Sequence, residues 1–215
     1  MGFKPTTGLL PARDRVGLNS PGVLCRTPAD AAAYLRAVAP NSLPAAAADT
    51  LRMVWTPTLG YAATDPDIAD SALHALDRIA RAGLCRLIER PIKLRDPAPA
   101  WTALRAGTPA QDTEDLIAAN AQTLHEAFEE TDLIATPTTP HLPHGHYGPG
   151  TRMSVALTWA FNLTGRPALT LPAGTTPNPS LTGRAWKSAP RTRGDDPQGH
   201  KLLCGGCLCS PHPRG

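Results

Sequence analysis

Aromatic side chains make up only 5% of this 215-residue chain, which with its many prolines points to a core built from Ala, Leu and Ile. Cysteine is scarce too: five residues, unevenly spread, exclude a disulfide scaffold and fit reduced thiols in a cytoplasmic compartment. No apolar run is long enough to span a bilayer and no signal peptide opens the sequence, so nothing points to a membrane. Net charge is lacking through residue 180, where 15 Lys and Arg face 16 Asp and Glu. The basic excess sits in residues 181–215, which carry 6 against 2. The folded part therefore has no electrostatic reason to bind nucleic acid. Trp186 is the one aromatic interleaved with the tail's arginines, which is little for a stacking platform.

What the chain does have is punctuation, with 24 Pro and 18 Gly, between short periodic segments. Thr27-Pro28-x-Asp30 reads as a capped helix start, with Ala31, Tyr34, Leu35 and Val38 on one face and Pro40 as its stop. NSLPAAAAD (41–49) reads as a linker. Leu51–Trp55 is a strand candidate, and Asp65-Pro66 opens a helix with Ile68, Ala72, Leu76 and Ile79 in a stripe. LCRLIE (84–89) closes a strand–helix–strand unit, which predicts a parallel pair. A short helix follows around Trp101, then one capped by Asp112 or Thr113 with the stripe Ile117, Ala121, Leu124 and Phe128. DLIATPT (132–138) reads as a strand, His141 to Gly150 as a loop, Ser154 to Phe161 as a helix and Ala168 to Leu171 as a strand. The alternation predicts an α/β fold, a mixed and largely parallel sheet flanked by helices, over residues 1–180. Residues 181–215, basic and without apolar period, form a separate tail expected to be disordered.

FNLTGRPALTLPAG (161–174) resembles a segment near the C-terminal end of amidase signature family enzymes. GFKPTTGLLP, PGVLCRTPADAAAYL and TDLIATPTTP match three further motifs of that family in the right order, and LRMVWTPTLGYAATDPDIADSALHAL resembles its central strand, loop and helix. Val23 departs from the pattern, where the family usually has Pro. The resemblance covers nearly all of residues 1–180 and stops after Gly174. It implies a partial amidase signature fold, hydrolysis of carboxylic amide C–N bonds, a small-molecule amide substrate and no cofactor.

The same resemblance implies a gap. The family's serine nucleophile, bridging serine and lysine all lie ahead of the Lys-Pro-Thr motif, and here that motif is already Lys4-Pro5-Thr6. No Gly-Gly-Ser-Ser-Gly-Gly run occurs, and Lys4 belongs to its own motif, so no catalytic residue is assigned. The expectation is a C-terminal portion that is inactive on its own, because nucleophile, base and oxyanion donors must share one pocket. Tyr61, Thr136, Trp159 and Asn162 are the candidate substrate-binding residues, by their place in matching loops. The alternative is a non-enzymatic binding or assembly module, with uncovered core surface favouring self-association. Cys204, Cys207, Cys209 and His212, and likewise His141, His144 and His146, have ligand-like spacing. The first cluster stands alone and the second lacks a carboxylate among turn-forming residues, so no metal site is expected.

Overall fold

The computed structural model describes residues 1–12, 18–40, 50–144, 146–148, 150–151, 155–174 and 202–208, the last as backbone only. In chain order the elements are β1 (Gly2–Lys4), β2 (Val23–Leu24), α1 (Pro28–Val38), β3 (Leu51–Trp55), α2 (Pro66–Arg81), β4 (Cys85–Ile88), α3 (Ala98–Ala106), α4 (Gln111–Glu130), β5 (Leu133–Pro137), α5 (Ala156–Leu163), β6 (Ala168–Gly174) and β7 (Leu202–Leu208). The linker read at 41–49 lies outside the described residues.

Local signals set the helix starts. The Thr27 hydroxyl accepts from Asp30 N–H at 3.2 Å while the Asp30 carboxylate accepts from Thr27 N–H at 3.0 Å, a reciprocal cap ahead of Pro28. Asp65 caps α2 by accepting from Asp67 N–H at 3.0 Å, and its own N–H donates to Pro140 O at 2.7 Å. That second bond ties the start of α2 to the loop after β5. The start of α4 differs from the expected Asp112 or Thr113 cap: Gln111 is its first residue, and the Thr113 hydroxyl accepts backward from Ala110 N–H at 3.3 Å.

One mixed sheet runs β2-β1-β6-β7-β5-β3-β4. The strand–helix–strand reading appears as the parallel pair β3–β4, and β5 adds parallel to β3 on its other side. Parallel pairing is confined to this half; β2-β1-β6-β7-β5 is antiparallel throughout. Alternation along β3 and β5 sorts the core into two faces. Val54 and Ile134 join Leu59, Leu124, Leu157 and Phe161 on one side, whereas Met53, Leu133 and Ala135 meet Leu76 and Cys85 on the other.

Residues 202–208 depart from the expected disorder of 181–215: they form β7, antiparallel to β5 on one edge and to β6 on the other. The physical reason is backbone pairing, since the facing edges of β5 and β6 each present N–H and C=O groups that need partners. A Gly-rich strand held by such bonds carries no side-chain period. The rest of the tail, with Cys209 and His212, lies outside the described residues.

The start of the parallel half is pinned by one ion pair. Asp132 accepts from Arg52 N–H at 2.8 Å, from Nε at 3.2 Å and from Nη2 at 2.9 Å, while Asp132 N–H donates to Arg52 O at 2.9 Å. These bonds to the guanidinium and backbone of Arg52 hold the Asp132 carboxyl below its ordinary range. A folded-state pKa below the unfolded value stabilises the protein above the unfolded pKa, and the contribution disappears as pH falls through the folded one. Asp132→Asn should therefore be less stable than wild type at neutral pH, with the difference narrowing steadily below about pH 4. Denaturant midpoints measured from pH 7 to pH 3 check this; a pH-independent gap would remove the ion pair as the cause.

Candidate functional site

The FNLTGRPALTLPAG segment owes its odd composition to what it touches. α5 ends where the Thr164 hydroxyl donates back to Ala160 O at 2.7 Å, and Gly165 turns the chain at φ 69°. There Gly165 O accepts from Thr7 N–H at 2.9 Å, and a Cβ on Gly165 would sit 3.4 Å from the Thr7 side chain. The Lys4 ammonium donates to Arg166 O at 2.8 Å and to Pro5 O at 3.1 Å. The turn then delivers β6 antiparallel to β1, with Lys4 opposite Ala168, Phe3 opposite Leu169 and Gly2 opposite Thr170. Asn-Leu-Thr-Gly-Arg-Pro is thus a clasp that fixes one wall of a cavity.

That cavity encloses about 740 Å³. β1 and β6 give one wall, Leu18 to Leu24 the rim, α5 the side through Leu157, Thr158, Phe161 and Asn162, and the end of β5 the floor through Thr136, Pro137 and Thr138. Most of the surface is apolar. The polar groups among the described lining residues are hydroxyls, two asparagines and Lys4; no histidine or carboxylate is among them. The Ser20 hydroxyl donates to Pro5 O at 3.4 Å. The hydroxyls of Thr136 and Thr138 are buried, with no hydrogen-bond partner among the described residues.

Of the four residues picked from the sequence, Thr136 and Asn162 meet at this cavity. Tyr61 and Trp159 are not in its lining. The Tyr61 hydroxyl donates to Ala156 O at 2.9 Å, and burial pushes its pKa well above the usual phenol range. Trp159 is buried and stacks on Trp101 at 5.3 Å between ring centroids, with planes 12° apart. Both thus brace α5, one at its start and one along its body. Thr138, just past the end of β5, also lines the cavity and escapes the sequence reading. Cys25 and Cys85 are free thiols. Among the described residues no three His, Cys, Asp or Glu side chains gather to hold a metal, and no helix is long and apolar enough to cross a membrane.

A mixed sheet with this order, helices on both faces and a cavity beyond the end of β5 defines a class: the chain has a partial amidase signature fold. Among solved structures it is similar to a bacterial aryl acylamidase belonging to the amidase signature enzymes, at TM-score 0.63 and 14% identity over 97% of this chain and 54% of that one. It is similar as well to 6-aminohexanoate cyclic dimer hydrolase complexed with substrate, at TM-score 0.65 and 17% identity over 97% of this chain and 56% of that one. A third is fatty acid amide hydrolase, at TM-score 0.63 and 13% identity over 97% of this chain and 49% of that one. The chain spans about half the length of these structures. No protein-family model and no curated protein matches it by sequence.

Proposed function

We propose that this chain is an amidase-family protein that supplies the substrate-side wall of an amide-hydrolysing site and does not turn over amides alone. The cavity carries this reading: it is walled by the clasp and strands that resemble amidase motifs, in a fold shared with amide-cleaving enzymes. Its apolar walls suit the body of a small amide, and the presence of Thr136 and Asn162 among its lining residues supports reading them as substrate-binding. Serine catalysis needs a hydroxyl paired with a base, and Ser20 bonds instead to a backbone carbonyl. Lys4 is engaged by the carbonyls of Arg166 and Pro5, which makes it a clasp residue rather than a general base. Free thiols at Cys25 and Cys85 suit a reducing, cytoplasmic setting. Leu24, 89% exposed on the edge strand β2, is where self-association would begin.

The test is saturable binding of benzamide by the purified chain, followed by amide chemical shifts, alongside an assay of anilide hydrolysis. Shifts confined to the cavity residues with no turnover are expected. Absence of binding would defeat the pocket reading, and hydrolysis abolished by a substitution within the chain would defeat the inactivity.

A further inference from the structure

We propose that a second cavity, continuous with the first, is an anion subsite in which Arg26 receives a carboxylate at the far end of the amide ligand. This specificity element rests on the pocket reading above. The second cavity holds about 470 Å³; Met1, Cys25 and Arg26 line it, and Gly2, Leu24 and Thr170 line both cavities. Gly2 stands opposite Leu24 on one side and Thr170 on the other, across β2, β1 and β6, and residues so paired share a face of the sheet. This row forms the passage between the two spaces. Gly2 keeps it open: a Cβ there would lie 3.1 Å from Leu24 Cδ2 and 3.9 Å from Thr170 Cβ.

Charge selects the ligand. No Asp or Glu is among the described residues that line either cavity. In the first, the Lys4 ammonium is engaged by the carbonyls of Arg166 and Pro5. In the second, the Met1 amine donates to Cys25 O at 2.7 Å. Arg26 is exposed, and its side chain makes no ion pair or hydrogen bond among the described residues. The Asp30 carboxyl, at the start of α1, is held below its ordinary range chiefly by its bonds with Thr27 and least by the charge of Arg26. The guanidinium is therefore not committed to Asp30. An arginine without a partner is able to turn its planar fork to a carboxylate and meet it with two parallel N–H···O bonds. One cation balances one negative charge, so a carboxylate fits better than a phosphate dianion. The passage carries the Leu24 side chain and no charge, which suits a short chain of methylenes. The ligand class is thus a small carboxamide with a carboxylate at its other end.

The experiment measures binding of succinamate, glutaramate and adipamate against the matching neutral diamides, with benzamide as reference, to wild type, Arg26→Gln and Arg26→Lys. Wild type should bind at least one of the three carboxylates about three- to tenfold more tightly than its diamide in low salt. That advantage should shrink in high salt, because an exposed charge is screened. Arg26→Gln should lose the advantage while binding benzamide as wild type does, and Arg26→Lys should keep part of it. Three carboxylates bound no better than their diamides would overturn the subsite, with benzamide binding left to support the main pocket. So would a preference that survives Arg26→Gln or is indifferent to salt. Failure of wild type to bind benzamide overturns the pocket itself. The salt dependence is read on wild type alone, so the subsite stays testable if a substitution at Arg26 disturbs folding.

Discussion

Asn120→Leu should lower stability by about 2–4 kcal/mol, among the largest losses available to a single polar substitution in this chain. Asn120 is 2% exposed on α4, and its side chain serves both backbone groups of one residue. Its Oδ1 accepts from Arg95 N–H at 2.8 Å and its Nδ2 donates to Arg95 O at 2.9 Å. Arg95 lies in the stretch between β4 and α3, outside any strand or helix, so neither group has a ladder partner. Its neighbour Leu94 is held by N–H donation to Leu59 O at 2.9 Å. Leucine matches asparagine in size but leaves a part-buried donor and acceptor unpaired, each costing about 1–3 kcal/mol. At roughly 2–4 °C per kcal/mol for a chain of this size, the melting midpoint should fall by about 5–15 °C. Urea denaturation followed by circular dichroism measures this, and an unchanged midpoint would show that Arg95 finds other partners at no cost.

The same residue shows where sequence reading stops. Collecting hydrophobic positions at helical spacing gives α4 the apolar stripe Ile117, Ala121, Leu124 and Phe128. The buried positions are Thr113, Leu116, Asn120, Leu124, Ala127 and Phe128, so the buried face is rotated at its N-terminal part. An asparagine that offsets its burial by bonding a loop 25 positions away is invisible to periodicity. Signals that act within a few residues are legible: the Thr27 box, the Asp65 cap and the strand–helix–strand order all follow from local chemistry. β7 is not, because its place depends on two strand edges remote in sequence.

The candidate site divides along the same line. Thr136 and Asn162 lie on a strand end and a helix end, positions set by elements that the sequence marks, and they meet at the cavity. Tyr61 stands in the loop after β3 and Trp159 within α5, yet Tyr61 bonds Ala156 O and Trp159 stacks on Trp101. Aromatic rings in a chain with so few of them have two uses, and only the packing around α5 decides between them. The wall formed by β1 and β6 is half-legible: the turn chemistry of Gly165 and Pro167 is clear, but its partner Thr7 lies at the far end of the chain.

Gly22→Ala should damage fold and site together. A Cβ at Gly22 would clash with the Phe3 carbonyl oxygen and lie 3.3 Å from Lys4 Cα, and both are backbone atoms that cannot swing aside. β2 meets β1 through only Gly2 opposite Leu24 and Phe3 opposite Val23, with Met1 and Cys25 exchanging bonds at 2.7 and 3.0 Å beyond them. So short a pairing yields before β1 does, and relief of the clash moves Pro21 to Leu24 away from Phe3 and Lys4. Those residues are the cavity rim. The expected result is a stability loss of about 1–3 kcal/mol, in the range of an overpacked contact, with benzamide binding weakened at least about tenfold. Gly8→Ala supplies the contrast. Gly8 has φ 88° with nothing within 4 Å of the added carbon, so alanine there meets only backbone strain of about 1–2 kcal/mol and should leave binding unchanged. Calorimetry and shift titration on the two variants separate the effects. If both lose stability alike and both keep binding, the close approach of Gly22 to Phe3 does not shape the cavity.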